Sequence, residues 1–204
     1  MIDRNDLIQE YVKEYSDKSR VYFIENHFST FDGTEGRNVP FMLFPKQREY
    51  CQAIADSNKI VTVKHRQCGI STVSCAWIAA ELALLKPNST FTVLCIANKL
   101  EQAQELLVKI RTFLEQVPRY YFGDDYYSDD PKSEKNKRDI FLKNSKTQLT
   151  LVNGGAVYAR AASANAARGI SSVSVVIFDE AAFILDAMDT YASAVATTSA
   201  VKDS

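Results

Sequence analysis

Lys59-Ile60-Val61-Thr62-Val63-Lys64-His65-Arg66-Gln67-Cys68-Gly69-Ile70-Ser71-Thr72 is the stretch whose reading decides the fold. Lys59 to Val63 is a short β-branched run of the kind that fills a buried parallel strand. After the loop, Val73, Ala76, Trp77, Ala80 and Leu84 recur at spacings of three and four, which predicts a helix from about Ser71 that stops before Pro87. Strand, loop and helix in this order is the layout of a phosphate-binding loop, where backbone amides at a helix N-terminus meet an anion. Against the template G-x-x-x-x-G-K-[ST], Gly69 and Ser71 match, Ile70 stands where the lysine belongs, and Lys64 stands at the first glycine. A triphosphate needs a cation near its β and γ groups. A loop curled around a phosphate brings its two ends together, so Lys64 entering at the front reaches the same oxygens; Arg66 is the second candidate. Taken alone, Gly-x-Ser-Thr after a strand is also an ordinary turn with an N-capping serine.

Working outward, Phe91 to Ala97 reads as a second strand, and Leu100, Ala103, Leu107, Ile110 and Leu114 trace a second helix face ending near Pro118. Pro45 opens a helix through Tyr50, Ile54 and Ala55, since proline suits a first helical turn. Upstream, Leu7, Ile8, Tyr11, Val12, Tyr15, Tyr22, Phe23 and Ile24 have helix-like spacing, a helical lead over 1–40 that precedes the remaining 41–204. Arg119 to Arg138 dissolves into tyrosines, acids and lysines, an exposed loop. Ile140 to Leu142, Leu149 to Val152 and Ala156 to Tyr158 read as strands, the last two joined by a turn at Asn153-Gly154-Gly155. Val173 to Phe178 is an apolar strand running into Asp179-Glu180. Alternating strands and helices predict an α/β fold with a mainly parallel central sheet flanked by helices.

The chain has 204 residues, 46% of them hydrophobic, enough for a real core, and a formal net charge of −1 that gives no global reason for nucleic-acid or membrane binding. Cysteines at 51, 68, 75 and 95 lack CxxC spacing, which argues against a zinc site or a disulfide framework. The polar start and the lack of any apolar run near the roughly 18 residues of a membrane span give the expectation of neither a secretion signal nor an anchor.

Chemistry concentrates at three places. Asp179 and Glu180 are two adjacent carboxylates at the carboxyl end of a strand, where open α/β sheets bind ligands. Aspartate there can hold Mg²⁺ and glutamate can orient and deprotonate water. Ser71 offers the metal a hydroxyl, and the amides from Gln67 to Thr72 offer donors. Gln47, in Phe44-Pro45-Lys46-Gln47-Arg48, carries an amide able both to donate to and accept from an adenine edge. An acidic pair after a strand, or a glutamine on a helix, is unremarkable by itself; two half-motifs in the right order describe Mg²⁺-dependent nucleotide hydrolysis.

These residues resemble a known family. Tyr22-Phe23-Ile24-Glu25-Asn26, Pro40-Phe41-Met42-Leu43-Phe44-Pro45-Lys46-Gln47, Arg66-Gln67-Cys68-Gly69-Ile70-Ser71-Thr72, Arg168-Gly169-Ile170-Ser171 and Phe178-Asp179-Glu180-Ala181-Ala182-Phe183-Ile184 are similar, in order and over nearly the whole chain, to the ATPase half of tailed-bacteriophage terminase large subunits. The resemblance implies a RecA-like, additional-strand P-loop NTPase that drives double-stranded DNA into a procapsid as a homo-oligomeric ring on the portal protein, with a small terminase subunit as partner, in the cytoplasm of the infected bacterial host and not in the mature virion. It implies ATP and Mg²⁺ as ligands. Gln47 falls in the adenine motif; Lys64, Arg66, Gln67, Cys68, Gly69, Ile70, Ser71 and Thr72 fall in the phosphate loop; Ser71 and Asp179 hold metal. Glu180 activates water, and Lys64 and Arg66 stabilise γ-phosphate charge. Arg168 either faces a neighbouring subunit's nucleotide or anchors a loop. Lysines between Lys132 and Lys146 either touch DNA phosphates or form a solvated loop. Large terminases continue into a strand with a coupling motif and an RNase H-like nuclease; with the sequence ending at Ser204, the expectation is an ATPase domain incomplete at its C-terminus and without nuclease activity. The alternatives are a superfamily 2 helicase-like ATPase fragment and a non-catalytic nucleotide-binding or assembly module.

Overall fold

The computed structural model describes residues 19–198 except 66, 87, 124 and 171. The chain divides into two compact units, Met1–Lys86 with Ile110–Arg138, and Pro87–Lys109 with Asp139–Ser204.

The first unit is built on aromatic packing. Helix α1 (Ser19–His27) buries Phe23 and Ile24 completely. Phe23 meets Tyr121 edge-on at 5.2 Å between ring centroids, and Phe113 takes Phe28 at 4.9 Å and Phe41 at 5.7 Å. Such pairs contribute about 0.5–1.5 kcal/mol each beyond their buried area. Residues 29–40, within the stretch expected to be helical, instead form an antiparallel hairpin, β1 (Ser29–Asp32) with β2 (Arg37–Pro40). Asp32 accepts the backbone N–H groups of Thr34 at 2.7 Å and Glu35 at 3.2 Å, and Gly36 takes the left-handed φ of 65° that closes the turn. The part of the expected helical lead before Ser19 lies outside the described residues.

Helix α2 (Pro45–Asp56) begins at the expected proline. Helix α3 (Ile70–Ala83) is buried on most of its surface, with Val73, Cys75, Ala76, Ile78, Ala79, Ala80 and Leu82 at 0–1% exposure. Burying each large side chain stabilises by about 1.5–3 kcal/mol. Arg20 of α1 grips Glu81 of α3 with two bonds of 2.7 Å, from Nε and Nη2 to the two carboxylate oxygens. Arg48 pairs with Glu25 at 2.6 Å, and Glu25 also accepts the Leu43 N–H at 2.9 Å.

One expected element is absent. Lys59 to Val63 forms no strand among the described residues, and Val61 and Val63 are 94% and 98% exposed. A β-branched run fits a strand locally, but a strand exists only where another backbone meets its N–H and C=O groups, and side-chain pattern does not encode that partner.

The second unit carries a five-stranded sheet in the order β4–β5–β6–β3–β7: Phe141–Asn144, Gln148–Leu151, Gly155–Ala161, Phe91–Ala97 and Val175–Phe178. Strand β3 pairs in parallel with β6 and β7, whereas β4–β5 and β5–β6 are antiparallel, so the sheet is mixed. Short hairpin connections impose the antiparallel half, because parallel neighbours need long crossovers. In the β5–β6 turn, Gly154 has φ 94°, and a Cβ there would stand 2.8 Å from the Ser89 carbonyl oxygen, so only glycine fits. Leu94 and Ile96 pack with Ala166, Ala167, Ile170, Val173, Ile184 and Ala194 of α5 (Ala187–Thr198) into one core cluster. The small residues between Ala162 and Gly169 lie in bends and turns whose alanines allow this close approach. Helix α4 (Leu100–Gln116) follows β3, as expected. The fold is therefore α/β. No helix among the described residues is long and apolar enough to cross a membrane.

Candidate functional site

The phosphate-loop candidate lies in the first unit. Gly69 is the N-cap of α3 with φ 75°, and the Val73 N–H donates to its carbonyl at 3.0 Å as the first helical bond. The amides of the first turn, Ile70 to Thr72, point out of the helix N-terminus, the end of a helix whose dipole favours an anion. Gln67 is also left-handed at φ 63°. A non-glycine residue held there costs about 1–3 kcal/mol, a cost that persists where surrounding structure fixes it.

Lys64 reaches the far end of this loop. Its Nζ donates to Ser71 Oγ at 3.1 Å, so the front lysine and the serine, seven residues apart, are brought together as the curled-loop expectation requires. Arg66 lies outside the described residues. Ile70, at the template's lysine position, is part of the first turn and half-buried. Ser71 and Thr72 are half-buried on the same turn, and Cys68 is partly exposed just before it.

Gln47 is 5% exposed and tied to the loop. Its Oε1 accepts the Phe44 N–H at 3.0 Å and its Nε2 donates to the Cys68 carbonyl at 3.2 Å. The first bond is half of a capping box at the start of α2. The structure thus places Gln47 as a tether of the loop before α3; one amide hydrogen and one lone pair are left over from these two bonds. Beneath the loop, Tyr50 Oη and Ser74 Oγ are 2.8 Å apart, and Ser74 donates onward to the Ile70 carbonyl at 3.0 Å. Burial raises the Tyr50 hydroxyl above its ordinary range. It also pushes the neighbouring Cys51 thiol up to about 12, with the Glu25 charge adding to the effect.

The carboxylate candidate lies in the second unit. Strand β7 delivers Asp179, whose N–H donates to the Ile96 carbonyl at 3.0 Å and so extends the pairing with β3 by one residue. Glu180 leaves the strand in the left-handed conformation, φ 51° and ψ 42°, and opens a 3₁₀ turn at Ala181–Phe183. A cleft of about 80 Å³ lies here, with Asp179 and Glu180 on one side and Gln102, Glu105 and Lys109 of α4 on the other. Gln102 Nε2 faces Glu180 Oε2 at 3.4 Å. Sequence reasoning missed Gln102, although its place three residues after Lys99, at the start of a helix, is a legible capping signal.

No cluster of three or more His, Cys, Asp or Glu side chains among the described residues is arranged to hold a metal. A hydroxyl and a carboxylate, completed by water and phosphate oxygens, are the ligands Mg²⁺ ordinarily takes in nucleotide enzymes, and Ser71 and Asp179 are of those types. Arg168 is exposed in the turns before β7, its N–H donating to the Asn165 carbonyl at 2.9 Å. In the basic loop, Lys137 pairs with Glu134 at 2.6 Å and Arg138 donates to the Asp125 carbonyl at 3.3 Å, so part of its charge is answered locally. No protein-family model matches the chain, and no curated protein matches it.

Proposed function

We propose that the chain is the ATP-hydrolysing motor domain of a tailed-phage terminase large subunit, with a RecA-like, additional-strand P-loop fold. The observation that carries this reading is the 3.1 Å bond from Lys64 Nζ to Ser71 Oγ. It supports the view that the cation missing at Ile70 enters from the front of the loop. A plain strand-to-helix turn gives no reason for a lysine to close on the serine of its first turn.

On this reading the substrate is ATP. The amides of the α3 first turn and the Lys64 ammonium bind the β- and γ-phosphates and stabilise charge that grows on their oxygens during transfer. Ser71 and Asp179 are the side chains whose types would hold Mg²⁺, and the ion would supply Lewis-acid neutralisation of phosphate charge. Glu180 orients a water in line with the γ-phosphate and takes its proton. Gln47 keeps the loop in its binding shape through the Cys68 carbonyl. The reading also assigns double-stranded DNA as the transported polymer, portal protein and small terminase subunit as partners, a homo-oligomeric ring as the assembly, and the infected host's cytoplasm as the location.

The test is ATP hydrolysis by the chain, alone and with a supplied C-terminal partner, against E180Q and K64A. Loss of a general base lowers turnover by about 10²–10⁴-fold, and loss of a charge-stabilising donor by about 10²–10³-fold. Turnover that survives E180Q refutes the mechanism. ATP binding without turnover under either condition establishes the non-catalytic module instead.

A further inference from the structure

The cleft beside β7 contains a group that the ATPase reading leaves without a role. Gln102 is the third residue of α4, and its Oε1 accepts the Lys99 N–H at 3.1 Å. With its oxygen engaged, the side chain has only Nε2 to turn outward, and that nitrogen faces Glu180 Oε2 at 3.4 Å. Glu180 in turn projects from a left-handed backbone that glutamate adopts at a cost. Two separate constraints, one on the donor and one on the acceptor, thus converge on a single contact.

We propose that Gln102 is a positioning residue that holds the Glu180 carboxylate in the orientation it needs to receive a proton; the catalytic consequence rests on the ATPase reading above. A neutral amide suits this task. The charged groups facing Glu180 across the cleft are Glu105 and Lys109 of α4, and Asp179, just after β7, lies beside it. Another cation there would pair with the carboxylate and weaken it as a base, whereas an amide orients it and leaves its charge available.

Q102E separates this role from helix capping. Its carboxylate still accepts the Lys99 N–H, at a helix N-terminus that favours negative charge, but it no longer donates and places a like charge against Glu180. The expected result with ATP and Mg²⁺ is an unchanged melting temperature, kcat lowered about tenfold and an unchanged KM. Q102A loses both contacts, so it lowers kcat similarly and melting slightly. The Gln102 side-chain amide ¹H–¹⁵N resonance, assigned by its loss in Q102E, reads the contact without turnover: it shifts in E180Q, where the carboxylate it faces is gone. A resonance that does not move, or a kcat in Q102E equal to that of the wild type, overturns the proposal. A resonance that moves in a chain without turnover upholds the contact and refutes the ATPase reading.

Discussion

Gly69→Ala tests whether the phosphate loop takes its shape from Gln47. An alanine held at φ 75° costs about 1–2 kcal/mol in backbone strain. Its Cβ would stand 2.8 Å from Gln47 Nε2, closer than two such atoms pack, so the amide has to leave. Its departure removes the bonds to the Cys68 carbonyl and the Phe44 N–H. Each is worth about 0.5–1.5 kcal/mol. G69A should therefore lose about 2–5 kcal/mol in the wild-type background. In a Q47A background, where those bonds are already gone, it should lose only the strain of about 1–2 kcal/mol. Trp77, the single tryptophan, is half-buried in the helix that Gly69 caps, so its fluorescence during urea unfolding reports on this unit. The double-mutant cycle should give a coupling of about 1–3 kcal/mol. Costs that add to within about 0.5 kcal/mol would refute the clash, because that is how independent sites behave.

Two further expectations concern pH and thiol chemistry. His27 packs against Phe23 and Tyr121, and its burial lowers its pKa below the ordinary 6.5. The unfolded chain then binds the proton more readily, so the His27 contribution is complete above pH 6.5 and is lost as pH falls from there through the lowered folded-state value. Melting temperatures measured from pH 8 to 5 should fall in that window, and H27Q should flatten the fall; an equal slope in the variant refutes the assignment. Cys51 is 3% exposed with its thiol raised to about 12, so it should resist iodoacetamide at pH 8. Cys68, partly exposed in the loop, should be alkylated first, and more slowly with ATP and Mg²⁺ present. Peptide mass spectrometry would show equal labelling of the two if this reasoning is wrong.

Elements whose identity is written in their own periodicity were legible. The apolar spacing from Val73 to Leu84 and from Leu100 to Leu114 marks α3 and α4, and the alternation around Asn153-Gly154-Gly155 marks β5 and β6. The hairpin at 29–40 was not legible, although Asp32-Gly33 is a turn signal, because its strands are only four residues each and none of those residues is fully buried. Ile60 to Val63 misled for a different reason: sequence records how well a segment suits a strand, and pairing is a property of two segments. At the candidate site, residue types and order were legible, while contacts spanning the chain were not. The contact from Gln102 to Glu180, 78 residues apart, follows from no motif; it depends on where a turn points a side chain.

The left-handed backbone of Glu180 bears on how this protein tolerates change. Glycine adopts that conformation freely, so on the proposed ATPase reading the residue best for folding at position 180 and the residue best for accepting a proton differ. A selection that scores only expression or heat resistance would favour replacing Glu180 with glycine, and would discard the carboxylate while appearing to improve the molecule. Stabilised versions of this chain are therefore best built with residue 180 held fixed.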